Sequence, residues 1–259
     1  MFKGILNSHF RSYSIGLFFL LFSLQGFASY MLIPMDESSQ KNHLKAYGIT
    51  FYSLLKGKKV QWLLNYRGGS FLLEDNEEFR NECVIRDVSY EILSDSQTLD
   101  ILAYIGSPSQ NMESVVLEKA PKIAVYSPKD KQPWDDAVTM VLQYAEIPYD
   151  VVYDQEVLDE KLLLYEWLHL HHEDFTGQYG KFYGAFRTTP WYIENKMNAE
   201  KQAAEMGYDK VSQQKLDVVL KIRNFVLGGG FMFAMCSATD SFDIALAAQG
   251  LDICETMFD

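Results

Sequence analysis

FVLGGGFMFAMCSA, the stretch covering residues 225–238, is the most informative part of this sequence. A helical pattern ends at the glycines 228–230, because a left-handed helix cap favours a residue without a side-chain clash. Phe231 to Met235 is then apolar on both faces, as expected for a central parallel strand covered by helices. Cys236 follows at the strand-to-helix turn with an alanine two positions away on either side, and so sharp a turn tolerates only small neighbours.

Cys236 has two interpretations. A cysteine at a sharp strand-to-helix turn is placed as a nucleophile, and the helix N-terminus beside its sulfur favours the reactive thiolate. The alternative is a small cysteine that packs beneath the helix and has no chemical role. The sequence alone leaves both open.

Short apolar strand patterns alternate with longer helical patterns along most of the chain, as at Lys122–Tyr126, Pro133–Ala145 and Tyr149–Tyr153. Such alternation indicates βαβ units and a parallel sheet. We therefore predict an α/β fold with a doubly wound, mainly parallel sheet and helices on both faces, flavodoxin-like in layout. Leu162–Leu170 and Leu251–Cys254 are predicted as further strands. Ligands of such sheets bind at the carboxyl ends of the strands.

The first 28 residues have the pattern of a secretory signal peptide. Lys3 and Arg11 accompany a short apolar run, and Gly26 and Ala28 supply the small residues that a signal peptidase reads. The apolar run is too short to span a bilayer comfortably. We therefore predict that residues 1–28 are removed and that the mature protein is periplasmic or secreted, without membrane insertion.

The chain is acidic, with 23 Lys and Arg against 35 Asp and Glu and a formal net charge of −12. Residues 1–28 contain two basic residues and no acidic one, so their removal takes the charge to −14. A chain of this charge repels phosphate backbones, and no basic cluster offsets the repulsion. Nucleic acid is therefore disfavoured as a partner, and the expected partner is a small polar ligand or a saccharide.

About 230 residues would remain after removal of residues 1–28, a length that suits one large α/β domain or two small ones. We predict an N-terminal α/β subdomain over residues 29–110 and a second α/β domain over residues 111–259, joined near Ser107–Asn111. Three cysteines, Cys83, Cys236 and Cys254, are too few for a disulfide scaffold. In an oxidising compartment one pair could bridge, and the sequence does not say which.

Three of the five histidines lie in the segment LHLHHED at the end of a predicted strand. In an extended chain, His169, His171 and Glu173 point to one side. These three could bind zinc, which is the only cofactor that the sequence suggests. Alternatively, His171 or His172 acts as a general base beside Glu173. A third possibility is structural, with His169 buried and bonded to a backbone carbonyl.

Aromatic residues crowd the segment that follows: Phe175, Tyr179, Phe182, Tyr183, Phe186, Trp191 and Tyr192. Interleaved glycines and Arg187 suit a hinged lid or a sugar-stacking surface. The alternative is a small satellite core in which the aromatic rings pack on one another. Phe175, Tyr179, Arg187 and Ser237 are the candidate substrate-binding residues.

The stretch quoted first resembles the helix, glycine pair, strand and elbow of class I glutamine amidotransferase-like proteins, including their trehalose-utilisation-like branch. The resemblance covers roughly Pro121 to Asp259. Active members use a Gly-x-Cys-x-Gly elbow, which would place the nucleophile at Cys236, although Ala234 and Ala238 replace both glycines here. Their catalytic His and Glu lie downstream of the elbow, whereas this sequence stops at Asp259. The resemblance therefore implies either a longer native chain or an incomplete site.

Over its whole length, the chain is similar to a group of secreted bacterial proteins often labelled asparagine synthetase B. The similarity rests on LHLHHEDFTGQYGKFYGAFR and GGGFMFAMCSATDSFDIALAA. A glutamine-dependent asparagine synthetase would have an N-terminal catalytic cysteine and a Ser-Gly-Gly-x-Asp-Ser pyrophosphate loop. This sequence has Phe2 in place of that cysteine and no such loop, so the activity is disfavoured.

Together these features predict an extracytoplasmic amidotransferase-like domain that binds or hydrolyses a small polar amide or saccharide. Cys236, His171, His172 and Glu173 would be its catalytic residues. The rival prediction is a non-catalytic module whose aromatic segment binds a glycan or a protein partner.

Overall fold

The computed structural model describes residues 29–128, 137–177 and 180–255. They form two compact units, one ending at Glu118 and the other beginning at Lys119. The boundary follows a strand at Glu113–Leu117, whereas the predicted junction at Ser107–Asn111 precedes it. The signal-peptide prediction concerns residues 1–28, which lie outside the described residues. No helix in the described ranges is both long enough and apolar enough to cross a membrane.

The N-terminal unit is built on one five-stranded sheet. Its elements in chain order are β1 Ser29–Ile33, α1 His43–Leu55, β2 Val60–Leu64, β3 Ser70–Glu74, α2 Glu77–Ile85, β4 Glu91–Ser94, α3 Asp95–Ile105 and β5 Glu113–Leu117. The strand order is β4-β1-β3-β2-β5. Every neighbouring pair is antiparallel. The prediction of a mainly parallel sheet is therefore wrong for this unit.

Local chemistry sets the elements of the N-terminal unit. The side chain of Asn42 caps α1 by accepting from the Lys45 amide at 3.3 Å, and Ser94 forms a capping box at α3. Between β2 and β3, Asn65 and Arg67 have positive φ, so the chain reverses tightly there. The sheet and α3 bury an apolar cluster of Leu32, Leu63, Leu72, Leu93 and Ile105.

The C-terminal unit is built on a four-stranded sheet. Its elements are β6 Ile123–Tyr126, α4 Ala137–Ala145, β7 Asp150–Val152, α5 Asp154–Leu158, a 3₁₀ helix Lys161–Leu164, β8 Trp167–Leu170, α6 Gly180–Phe186, α7 Pro190–Glu205, α8 Val211–Leu227, β9 Phe231–Ala234 and α9 Ser237–Ala247. The strand order is β7-β6-β8-β9. All pairs are parallel, which confirms the α/β prediction for this unit.

One face of the parallel sheet is covered by helices. Its alternate residues pack against α8 and α9 in a single apolar cluster, which includes Ala124, Tyr126, Leu168, Leu170, Val218, Val219, Ile222, Phe225 and Phe242. On the opposite face, Phe231 and Phe233 are 55% and 47% exposed. The described helices therefore leave the β9 end of that face uncovered, unlike the two covered faces that were predicted.

Two predicted strands differ from the structure. Leu162–Leu170 divides into the 3₁₀ helix and β8, because Leu163 and Leu164 point to solvent and only the last four residues join the sheet. Leu251–Cys254 forms no strand. An apolar run alone did not distinguish a sheet strand from an irregular segment in either case.

Candidate functional site

The candidate site lies where β8 and β9 end side by side. In the parallel register, His169 is opposite Phe233 and Leu170 is opposite Ala234. The pairing continues past both strands, since the Met235 amide donates to the Leu170 carbonyl at 3.0 Å. The Ala238 amide also donates to the His171 carbonyl at 3.3 Å. The backbone around Cys236 is thus bound directly to the histidine segment.

Cys236 occupies the turn between β9 and α9. Its backbone has φ 55° and ψ −144°, and it is the N-cap of a helix of 11 residues. This conformation is rare for a residue with a side chain and costs about 1–3 kcal/mol. Ala238 is fully buried beneath the turn, which explains the small residue there. The Cys236 side chain is exposed, so the interpretation of a cysteine buried beneath the helix does not fit the structure.

His171 and His172 form a pair at the end of β8. Their Nδ1 atoms are 2.9 Å apart, so one ring donates a proton to the other. The Nε2 atom of His172 lies 3.8 Å from the Glu173 carboxylate. Both imidazoles are partly exposed. The segment therefore has a proton-sharing pair with an acid beside it.

The backbone of this segment is anchored by α9. The Ser237 hydroxyl donates to the His172 carbonyl at 2.9 Å, and the Ser241 hydroxyl donates to the Glu173 carbonyl at the same distance. Ser237 was a candidate for substrate binding. Its hydroxyl instead holds the histidine segment in place.

The zinc hypothesis lacks a ligand set. His169 is 6% exposed and its ring stacks on Phe233 at 5.5 Å between centroids. The rings of His169 and His171 are 6.5 Å apart. Within the described residues, no group of three or more His, Cys, Asp or Glu side chains could hold a metal ion. His169, His171 and Glu173 therefore do not converge as a metal site.

Two other candidate substrate-binding residues have different surroundings from those expected. Phe175 is fully buried and packs on Tyr126 at 5.0 Å and on Phe242 at 5.7 Å, so it belongs to the core. Arg187 is exposed and donates to the Gly184 carbonyl at 2.9 Å. Tyr179 lies outside the described residues.

Within the aromatic segment, Phe182 and Phe186 lie on α6, and Trp191 and Tyr192 lie on α7. The ring centroids of Phe182 and Phe186 lie 5.9 and 5.2 Å from that of Trp191. Each of the three side chains remains about 40% exposed, whereas Tyr192 is buried. The rings thus pack on one another, as the satellite-core prediction stated. They also leave aromatic surface exposed, as a sugar-stacking surface would require.

A buried polar cluster lies below the carboxyl ends of β6 and β7. The Lys215 ammonium is 2.8 Å from the Asp154 carboxylate and donates to the Tyr126 hydroxyl at 3.0 Å. The Tyr126 hydroxyl also donates to Asp154, and the Gln214 amide donates to Asp154 at 3.1 Å. Asp154, Lys215 and Gln214 are each less than 7% exposed, and Tyr126 is fully buried.

Burial and neighbouring charges shift the pKa values of Lys215 and of the two tyrosines in this cluster. Burial lowers the pKa of Lys215, but the charge and hydrogen bond of Asp154, together with Tyr153 and Glu173, outweigh it and the pKa is raised overall. Burial raises the pKa of Tyr153 to about 12, and burial with the Asp154 charge raises that of Tyr126. The Lys215 ammonium thus stays charged beside the Asp154 carboxylate, and the two tyrosines stay neutral.

Sequence reasoning missed Lys215 and Tyr126. The sequence did contain a signal for Lys215, which is its position on the mostly apolar face of a helix. It lies between Val211 and Val218 at helical spacing, on the face of α8 that is apolar apart from Gln214. A lysine on such a face has a buried partner, because an unpaired buried charge is too costly.

None of the three cysteines forms a disulfide. Cys83 is buried, and burial raises its pKa to about 12. Cys254 is partly buried, with its sulfur 3.6 Å from the Thr176 carbonyl. Cys236 is the exposed member of the set.

A cavity of about 290 Å³ lies elsewhere in the C-terminal unit. Its lining includes Thr176, Lys210, Ser212, Asp252 and Cys254. Neither Cys236 nor the histidine pair contributes to it. The thiol therefore lies on the open carboxyl edge of the sheet and not in this cavity.

Comparison of the chain with protein-family models, with curated proteins and with solved structures gives no match. The chemistry of the site therefore has to be inferred from its own geometry.

Proposed function

We propose that the C-terminal unit is an extracytoplasmic, amidotransferase-like hydrolase that cleaves a small polar amide with Cys236 as nucleophile. The observation that carries the proposal is the exposed Cys236 thiol in a strained backbone turn at the start of α9. Backbone strain at an exposed reactive side chain is typical of functional sites. The resemblance of residues 225–238 to an amidotransferase elbow points to an amide as the substrate.

The residues of the candidate site can supply every step of amide hydrolysis. His171 or His172 accepts the Cys236 proton, and the thiolate attacks the carbonyl carbon of the amide. The Ser237 N–H directly follows the nucleophile, which is a position that stabilises the oxyanion in such elbows. The histidine then protonates the leaving nitrogen as the C–N bond breaks. A water molecule next cleaves the thioester, which releases the carboxylic acid and restores the thiol.

The parallel pairing of β8 with β9 supports this assignment. It ties the Cys236 turn to the histidine segment by main-chain hydrogen bonds, so their relative positions are fixed by the sheet. Glu173, 3.8 Å from His172, would stabilise the imidazolium that forms when the thiol is deprotonated. His171, His172 and Glu173 precede Cys236 in the chain, whereas in active amidotransferases the His and Glu follow the cysteine.

Two measurements on purified protein test the proposal. Iodoacetamide at about pH 6 should alkylate Cys236 well before Cys254 and Cys83, as measured by peptide mass spectrometry. The reason is that a thiol assisted by a neighbouring base reacts at a lower pH than an ordinary thiol does. His171→Ala should slow that labelling. Ammonia release from glutamine and asparagine should be lost in Cys236→Ala and retained in the control Cys254→Ala.

Equal and slow alkylation of all three cysteines, with no ammonia release, would refute the hydrolase. A glycan-binding module would then be the better proposal, and the half-exposed rings of Phe182, Phe186 and Trp191 favour it. Such rings can stack on sugar faces. Cys236→Ala would in that case bind oligosaccharides as well as the unchanged protein does, and Trp191→Ala would not.

A further inference from the structure

Strand β9 is the last strand of the parallel sheet, and no strand in the described ranges pairs with its outer side. The amides of Phe231 and Met235 donate to the carbonyls of Glu166 and Leu170, next to or within β8. Backbone groups alternate in direction along a strand, so those of Met232 and Ala234 face outward. These outward groups are a ready template for another strand.

The β9 edge differs from the other three edges of the two sheets formed by the described residues. The edge strands β4, β5 and β7 carry Glu91, Glu113 and Asp150 respectively. Charged residues on edge strands oppose pairing with other chains. β9 carries none, and residues 225–239 contain no charged side chain at all. The usual protection against edge pairing is therefore missing at this edge alone among the four.

The exposed face beside this edge is apolar. Phe231, Phe233 and Met235 are 55%, 47% and 39% exposed and alternate along one side of the strand. Phe231 is held against Trp167 with 5.2 Å between ring centroids, and Phe233 stacks on His169. The rings are thus already ordered and would lose little side-chain entropy on being covered.

We propose that β9 is a dimerisation strand, which pairs antiparallel with β9 of a second copy about a twofold axis at Phe233. Met232 of each copy would then exchange main-chain hydrogen bonds with Ala234 of the other. The two Phe233 rings would face each other as a directly opposed pair, and each Phe231 would face Met235 of the other copy. Aromatic pairs and sulfur–aromatic contacts both stabilise such an arrangement.

A second copy fits this edge better than a different partner does. The strand is self-complementary in the antiparallel register, as a twofold interface must be. Two chains that each carry a charge of −12 repel each other over most of their surface. The charge-free stretch at β9 lets them meet without bringing acidic groups together. A single edge strand is a small interface, so we expect a dissociation constant of roughly micromolar order.

Sedimentation velocity on the purified protein tests the proposal. The mass should rise from that of one chain to that of two between about 1 and 100 µM, as expected for a weak interface. Phe233→Lys should raise the dissociation constant at least about tenfold, because each dimer would then oppose two charges across the twofold axis. Ile244→Lys is the matched control, since Ile244 is 48% exposed on α9 and should leave the dimer intact.

Far-UV circular dichroism shows whether each variant is folded. Ala234→Pro provides a second test if Phe233→Lys fails to fold, because it removes an outward amide and leaves the pairing with β8 in place. A monomer at every concentration would overturn the proposal. A dimer that survives both β9 variants, or that Ile244→Lys also abolishes, would equally overturn it.

Discussion

The two units organise their strands in opposite ways, and this determines where side chains can meet. In the parallel C-terminal sheet all carboxyl ends lie on one edge, so Tyr126, Asp154, His171 and Cys236 all lie at or just beyond that edge. In the antiparallel N-terminal sheet neighbouring strands end on opposite edges. β1 and β2 end on one edge, because both are antiparallel to β3, which lies between them, and β3, β4 and β5 end on the other.

That shared end of β1 and β2 also gathers polar side chains, with a different result. The Arg67 guanidinium donates to Asp36 at 3.0 Å, to the Ser39 hydroxyl at 2.9 Å and to Glu91 at 3.0 Å. These contacts engage all three of its nitrogens. The cluster therefore holds the turn between β2 and β3, whereas the C-terminal edge leaves a thiol exposed.

The largest expected effect comes from breaking the buried ion pair of the C-terminal unit. Lys215→Met should lower the free energy of unfolding by about 3–5 kcal/mol, because it leaves the Asp154 charge buried without a counter-ion. Arg67→Met in the N-terminal unit should cost only about 1 kcal/mol, since its side chain is 30% exposed. Hydrogen exchange read by peptide should show the loss of protection in the unit that carries each substitution.

The double variant Lys215→Met with Asp154→Leu serves as the control for that prediction. Removing both charges should restore most of the lost stability, because neither is then left unpaired. A single Lys215→Met variant as stable as the unchanged protein would show that the ion pair does not stabilise the C-terminal unit.

An intermediate effect is expected from the backbone of the N-terminal turn. Gly68 has φ +78°, and a Cβ there would lie 2.4 Å from the Met35 carbonyl oxygen. Gly57 has nearly the same φ, +74°, with nothing within 4 Å of a Cβ. Gly57→Ala should cost about 1–2 kcal/mol for the left-handed conformation alone. Gly68→Ala should cost about 1–3 kcal/mol more, because the carbonyl must move.

Urea unfolding of the two glycine variants measures this difference. The Gly57→Ala variant is the internal control, because it has the cost of the left-handed conformation without the steric clash. Equal losses of stability would mean that the turn accommodates a side chain, and that the Asp36–Arg67 cluster does not depend on the close approach of Gly68 to β1.

The smallest effect is a pH dependence at the Asp36 cluster. Hydrogen bonds from Ser38 and Ser39, together with Arg67, outweigh burial and hold the pKa of Asp36 below its ordinary range. A carboxylate whose pKa is lowered in the folded state stabilises the fold at pH values above its unfolded pKa of about 3.9. This contribution is lost progressively as the pH falls below that pKa. Asp36→Asn should therefore make the decline in stability between about pH 4 and pH 2 shallower. Acid unfolding curves of the two proteins provide the measurement, and identical slopes would count against the assignment.

The sequence by itself determined features that depend on neighbouring residues. The helix pattern that was predicted to stop at the glycines 228–230 ends at Leu227, and Gly229 has φ +99°. A strand and the turn at Cys236 follow, since the conformational freedom of glycine and the tolerance of a sharp turn are local properties. The prediction that this strand is central in the sheet and covered on both faces is wrong, because β9 lies at the edge. Helix α7 begins at Pro190 for a similar reason, as proline favours the first helical turn.

Only the tertiary structure decided which segments became neighbours. Alternating strand and helix patterns occur in both units, yet one sheet is antiparallel, because periodicity reports which face of a segment is buried and not which strand it pairs with. The burial of Phe175, the contact of Lys215 with Asp154 and the stacking of His169 on Phe233 join residues far apart in the chain. Such contacts arise when whole elements pack together, and no local pattern within any one element encodes them.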